Sequence, residues 1–539
     1  MPSRPKNLWR RIPGPRLMQL ITAVSACAIG YEGMSQGVIG AVNVAPEFVQ
    51  RMGYGDEQGR VTNPTKQGGI VSIYYAGSLV GAFWAGQFAD RYGRIKGLWM
   101  ASFWCLLGVI LQAAATDLAA ILCARVVAGI GVAFIIVIAP SWTAELSPAA
   151  HRGRVICLTF LANFSCIALE SWLGFALSFA NSIGGGQFRW RFLFATQVIP
   201  IVLLLLGTMI IPESPRWLVK AGRHQEAFDI IVKLRGNDDS DHPDAVREYQ
   251  EILAVVGMEQ ESSSTNYVKM FFGVGSGDVH LGRRIQLVFW LQVLMQFGTG
   301  IAALVVYSGT LFRNAGFGEV KSGWLSPLSL TVGILGTGIN ALLVDRIGRR
   351  KTIFWGSATL CVILFLIGGL QRAAFNDPGS AQRLNIGSAC LVFVYVLVFS
   401  ASWLMVPFIY PTEVFPTWLR AKGNAFGVAG WAIGYGGGGL LVPVMLAGIG
   451  EKTFYVFGAA MISYIPLTYI FVPETAGRSL EQIDFLFASK SPFTWDEEKE
   501  FSKRMRDLEF RIEAGEEKRR RTSIEEIEGC RRTPKMVDV

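Results

Sequence analysis

The chain has 539 residues, 51% hydrophobic and 17% charged, with a mean hydropathy of +0.37. These values exclude an ordinary soluble protein of this length and point to an integral membrane protein. The net charge of +9 suits an anionic inner leaflet and gives no reason to invoke nucleic acid. Apolar runs of about 20 residues, long enough to cross a bilayer, recur along the sequence. They fall at 17–39, 68–88, 97–115, 119–141, 155–179, 192–211, 285–307, 325–344, 352–370, 386–410, 424–447 and 453–472. The expected fold is therefore an all-α integral membrane protein with twelve transmembrane helices in two six-helix bundles. A cytoplasmic N-terminus (1–16) precedes the first bundle (17–211). A polar central loop (212–284), a second bundle (285–472) and a charged C-terminal tail (473–539) follow. Short helices are expected near 222–235 and 242–257, and a solvated helix over Glu497–Arg521. Glycines inside the spans, such as Gly434 and Gly436 to Gly439, suit close helix packing or unwinding.

Positive charge sets the expected orientation. Arg4, Lys6, Arg10, Arg11 and Arg16 precede the first span. The even-numbered connections carry Arg91, Arg94 and Lys96, then Arg152 and Arg154, then Arg346, Arg349, Arg350 and Lys351, then Arg420 and Lys422. Both termini are thus expected in the cytoplasm, with the plasma membrane as the site of residence. The basic N-terminus lacks a signal-peptide cleavage pattern, so the first span is expected to stay as a membrane helix. Seven of the eight cysteines lie in or beside spans, with Cys530 in the tail, and the four histidines are scattered through connections. That distribution suggests no disulfide framework, metal site or cofactor, and nothing in the chain reads as an enzyme.

The strongest signal is duplication. Asp90-Arg91-x-Gly93-Arg94 returns about 260 residues later as Asp345-Arg346-x-Gly348-Arg349-Arg350. Glu145-x-x-Pro148-x-x-x-Arg152 returns as Glu413-x-x-Pro416-x-x-x-Arg420, and Pro212-Glu213-Ser214-Pro215-Arg216 as Pro473-Glu474-Thr475-Ala476-Gly477-Arg478. Three motifs repeated in one order imply two homologous halves, the architecture of a rocking transporter. Asp90, Arg91, Arg94, Glu145, Arg152, Asp345, Arg349, Glu413 and Arg420 are expected to act as a conformational latch at the cytoplasmic helix ends. Such a latch holds when the cavity opens outward and loosens when it opens inward.

Three ionisable residues fall inside apolar spans, where an unpaired charge costs at least a few kcal/mol: Glu32, Arg125 and Glu170. Amide side chains at the same depth offer both hydrogen-bond donors and acceptors. Gln292 and Gln296, four apart on the seventh span and so on one helical face, are candidates together with Tyr307.

Over roughly residues 17–485 the chain resembles the sugar porters of the major facilitator superfamily, in their fungal branch. The resemblance rests on the duplicated motifs, on Arg125-x-x-x-Gly129-x-Gly131, on Tyr410-Pro411-Thr412-Glu413-Val414-Phe415-Pro416 and on Pro473-Glu474-Thr475 with Ser479-Leu480-Glu481. It implies the major facilitator fold and transport of a sugar or sugar-like solute (hexose, pentose, polyol or sugar acid), with protons as the coupled partner. It also implies Glu32 with Arg125 as the coupling pair. In the family the acid follows a Tyr, as Glu32 follows Tyr31. Three extra residues separate Glu32 from Gln36-Gly37-Val38, however, and alignment from that side places Ser35 at the acid's position. Phe408 and Trp431 join Gln292, Gln296 and Tyr307 as implied solute-binding residues. Ala302, Ile167, Gly430 and Leu404-Met405 stand where the family more often has other groups, several of them hydrogen-bonding, which argues for an altered ligand or weaker affinity. A non-transporting nutrient receptor and an exporter of a more apolar metabolite or drug are the alternative readings.

Overall fold

The computed structural model describes residues 8–506 apart from 57, 59, 148–151, 181–186, 237–238, 262–266, 275–279, 416–418, 479, 488 and 490; the side chains of 152–154, 254–255, 257–261, 314, 421 and 480–481 also lie outside the description. Of the sites expected from sequence, Pro148, Pro416 and the side chain of Arg152 fall outside it, as do the tail beyond residue 506 and Cys530.

Among the described residues the elements are helical, and eleven stretches are long and apolar enough to cross a membrane. Spans 1 to 6 are Gly14–Val42, Pro64–Tyr92, Arg94–Ala114, Leu118–Leu146, Arg152–Leu177 and Gln187–Ile210, the last broken at Gln197. Spans 8 to 12 are Glu319–Ile347, Arg349–Asn376, Ala381–Val414, Arg420–Ile449 and Lys452–Phe471. Span 7 is the exception because it is segmented. It runs as Leu281–Val293, a π-helical turn Leu294–Gly298 and a short helix Ile301–Val305. Gly300 joins the last two pieces at φ +73°, a conformation that glycine adopts without the steric cost a β-carbon brings. Several spans extend a turn beyond the apolar runs, because polar caps and arginines lengthen a helix past the hydrocarbon edge. Asn63 caps span 2 by accepting from the Lys66 amide, and Asp117 caps span 4 by accepting from Ala120, as short polar side chains do at N-caps.

Span 4 is apolar on every face and lies mostly buried in the first bundle, as expected for a helix without a polar stripe. Spans 2 and 3 pack on it and span 1 packs on span 5; in the second half spans 8 and 12 pack against 10 and 9. The halves meet where span 2 packs on span 11 and span 5 on span 8. Gly436 and Gly439 face Tyr75 and Val71 of span 2, while Gly434 faces Val293 of span 7. The glycines of span 11 thus permit close packing on both sides.

The central segment forms helices Pro215–Lys220, His224–Arg235, Pro243–Glu261 and Tyr267–Phe271. Arg10 near the N-terminus pairs with Asp229 of this segment at 2.6 Å. After span 12, Leu480–Leu486 and a helix over 494–506 lie against the start of span 7, where Arg283 pairs with Glu497 at 3.2 Å and Arg284 with Asp484 at 2.8 Å. The first and last described residues therefore sit on one face, the terminal face.

Candidate functional site

A narrow cavity of about 40 Å³ lies between the halves, smaller than the clefts that typically hold a small molecule. Spans 1, 4, 5, 7, 10 and 11 line it. Glu32, Gln36, Asn163 and Gln296 supply its polar groups, while Phe160, Phe164, Phe399, Phe408, Trp431 and Tyr435 form much of its apolar wall. Phe408 lies 4.6 Å from Phe160, ring centre to ring centre, and Trp431 lies 5.0 Å from Tyr75 edge to face, both favourable aromatic geometries.

Glu32 is buried, and both of its carboxylate oxygens accept from amides: Gln36 one turn on and Asn163 across on span 5. Arg125 is equally buried but faces elsewhere. Its guanidinium lies 4.3 Å over the Tyr74 ring, and its Nε donates to the Ile70 carbonyl at 3.3 Å. The expected Glu32–Arg125 contact is thus not made in this structure, since Arg125 packs on Tyr74 and lies outside the cavity wall. Glu170 is buried away from the cavity and accepts from Thr196 at 2.6 Å, holding span 5 to span 6.

The expected solute ligands divide. Gln296, Phe408 and Trp431 line the cavity. Gln292 and Tyr307 do not border it in this state. Gln292 donates to the Pro407 carbonyl at 3.0 Å, tying span 7 to span 10, and Tyr307 donates to Gly439 at 2.8 Å, tying it to span 11. Gln292 and Gln296 share the face that four-residue spacing implies, one against Gly430 and the other against Gly434 of span 11, but only Gln296 borders the cavity. Gly430 also has a packing reason: a β-carbon there would stand 2.4 Å from the Phe289 carbonyl oxygen. Gln36 and Asn163 were not anticipated as cavity residues. The four-residue step from Glu32 to Gln36 was the available signal for the first.

At the terminal face the repeated charges meet. Arg94 pairs with Glu145 at 3.0 Å and Asp90 at 3.5 Å; Arg349 pairs with Glu413 at 2.6 Å and Asp345 at 2.8 Å. Glu213 accepts from the backbone amides of Arg94 (2.9 Å) and Ile95 (3.1 Å), and Glu474 from Arg349 (2.9 Å) and Arg350 (3.1 Å). Each proline–glutamate motif thus caps the first turn of span 3 or 9, where unpaired amides and the helix dipole favour an anion. The motifs were visible in sequence, but this role was not anticipated. Gly93 and Gly348 turn the chain at φ +98° and +94°, and a β-carbon on either would stand 2.6 and 2.5 Å from the capping carboxylate. Arg91 does not join this cluster; it is exposed, with its guanidinium 5.4 Å over the Tyr92 ring. Arg420 is buried at the start of span 11, and Glu413 uses its second oxygen to accept from Thr475 at 2.7 Å.

Contacts between the halves close this face. Lys422 approaches Asp90 at 4.0 Å, Asn424 donates to Ile136 and Val137 at 3.4 Å, and Tyr267 and Phe426 pack on Phe83. On the opposite face a second cavity of about 300 Å³ lies among the ends of spans 1, 5, 7 and 8. Val305 borders both cavities, so the short helix of span 7 stands between them.

A cavity between two six-helix halves, closed on one face by contacts between the halves beside duplicated ion-pair clusters, defines a transporter of the major facilitator fold. The chain belongs to the sugar (and other) transporter family, whose model matches residues 18–487. Among its relatives, the MFS glucose transporter mfs1 of Aspergillus flavus is 30% identical over 84% of this chain and 86% of its own length. The quinate permease of Neurospora terricola is 29% identical, over 87% of this chain and 88% of its own. The fold is similar to that of XylE from E. coli, a proton:xylose symporter, with a TM-score of 0.72 at 22% identity over 88% of this chain and all of that one.

Proposed function

We propose that this multi-pass membrane protein is a secondary active transporter that carries a sugar-like solute by alternating access, coupled to protons. The observation that carries the reading is the composition of the central cavity, with amides and a carboxylate for hydroxyls and aromatic rings for C–H faces. The names of relatives point to polyhydroxylated solutes, one a neutral hexose and one an acid. The Arg94 and Arg349 clusters serve as the latch that holds the terminal face shut, with Arg420 and Arg152 at the same helix ends. Gln296, Phe408 and Trp431 bind solute.

Glu32 is the proton site. In the state described it is held by amides, and Arg125 stands behind Tyr74. Movement of spans 1 and 4 that brings Arg125 closer favours release of the proton, because a nearby cation stabilises the carboxylate. In this reading the terminal face lies in the cytoplasm, which the arginine- and lysine-rich connections support by the positive-inside rule, and the protein resides in the plasma membrane.

Uptake of labelled glucose, xylitol and quinate into cells expressing the chain, with and without a protonophore, tests this reading. Saturable uptake of one of them, collapsed by the protonophore, is expected. Uptake no greater than in control cells for every solute, at normal surface abundance, would refute it.

A further inference from the structure

Within the reading of a carbohydrate transporter, on which this inference rests, the cavity distinguishes neutral from acidic solutes. Glu32 is the one charged residue among those lining the cavity. Arg125, the buried cation of span 4, lies over Tyr74 and bonds to Ile70, so among the described residues lining the cavity none carries a positive charge. The other hydrogen-bonding residues on the wall are three amides, Gln36, Asn163 and Gln296, with Tyr435 and Trp431, which carry a hydroxyl and an indole N–H. An amide offers both donors and acceptors, and a carboxylate only acceptors. That combination matches hydroxyls, each of which donates one hydrogen bond and accepts others. It does not match a carboxylate, which accepts only and carries a charge that Glu32 repels across a low-dielectric space.

The position of Glu32 also matters. Its oxygens accept from Gln36 and Asn163, and a carboxylate oxygen can accept a further hydrogen bond beyond one amide, so at the cavity wall Glu32 has capacity for hydroxyls of a solute. Those amides fix the carboxylate's plane before a solute arrives, which lowers the ordering cost of binding. The aromatic rings on the wall then take the apolar face of the same molecule.

We propose that Glu32 is a direct solute ligand, its carboxylate receiving hydroxyls of an uncharged polyhydroxylated solute, and that as the sole charge on the cavity wall it excludes sugar acids. Solute and proton then meet on one side chain, so protonation of Glu32 changes how the solute is held.

Equilibrium titration of the purified full-length chain with D-glucose, mannitol, gluconate and quinate tests this, with tryptophan fluorescence as readout and Trp431→Phe as the control that locates the signal in the cavity. At least one neutral probe should bind about tenfold more tightly than either acid, the discrimination expected of a charge-assisted hydrogen bond gained in one case and an unmatched charge in the other. Glu32→Gln should weaken the neutral probe about tenfold and tighten the acids. Binding of gluconate or quinate as tightly as the best neutral probe would overturn the proposal while leaving carbohydrate transport standing. So would unchanged neutral binding in Glu32→Gln. Binding of no probe would remove both readings together. The wild-type comparison decides the matter even if the variant does not fold.

Discussion

The two ion-pair clusters of the terminal face use matching residues yet sit in different surroundings. In the first half, Arg94, Glu145 and Asp90 have side chains only 10%, 5% and 19% exposed, and Asp90 reaches across to Lys422 of the other half. In the second, Arg349 is as buried, but Glu413 is 21% and Asp345 61% exposed, and both of its acids pair within their own half. The second half has an added support in the segment after span 12. Its Asp484 and Glu497 engage Arg284 and Arg283 at the start of span 7, and Arg478 pairs with Glu498 at 2.7 Å. Duplication thus supplied one motif, and burial assigned it two uses. The first copy couples the halves, while the second holds one half together with help from the C-terminal segment.

That asymmetry predicts unequal responses. Arg94→Ala should have the largest effect, since it strips the nearest cation from a buried Glu145, a loss of about 3 kcal/mol or more for a broken buried pair. Initial uptake per molecule at the membrane should fall below about a tenth of wild type. Next come Gly93→Ala and Gly348→Ala, which force a β-carbon into a positive-φ turn against a capping carboxylate, at about 1–3 kcal/mol each. Their melting temperatures should drop by similar amounts, because the two caps, unlike the two ion pairs, have the same geometry. Arg349→Ala should cost less than Arg94→Ala; equal loss of uptake in the two would erase the distinction drawn here. Lys422→Ala removes a partly exposed contact worth about 0.5 kcal/mol. It should change turnover about twofold, a difference that vanishes at high salt.

The C-terminal support should respond to pH. Burial outweighs the pull of Arg283 and raises the Glu497 carboxyl from 4.5 to about 7. The docked segment therefore holds a proton that the free segment gives up. Docking is favoured fully below about pH 4.5 and weakens as pH rises through about 7. Trypsin should cut at Lys499, Lys503 or Arg504 faster at pH 8 than at pH 6, and Glu497→Gln should flatten the dependence. Slower cutting at pH 8 would contradict the assignment.

The same contrast explains what could be read from sequence. Charges at the terminal face were legible because they are repeated and sit beside apolar runs, so spacing alone brought Arg94 to Glu145 and Arg349 to Glu413. Helix periodicity likewise located the spans. The cavity was less legible. Gln292 and Tyr307 hydrogen-bond to the backbone of spans 10 and 11 and stand outside the cavity lining, which residue spacing cannot reveal. Asn163 was missed because a lone amide on an apolar helix becomes a cavity group only when span 5 packs beside Glu32. Glu32 and Arg125 were each singled out as charges at membrane depth. Tyr74 between them could be seen only in three dimensions.

Proton coupling through Glu32 is most directly tested in proteoliposomes holding a pH gradient, with the solute identified by the uptake experiment. Wild-type protein should accumulate that solute above its external concentration until a protonophore collapses the gradient. Glu32→Gln, which cannot titrate, should only equilibrate it, and with weaker affinity. Accumulation by Glu32→Gln to the wild-type level would contradict proton coupling at this residue.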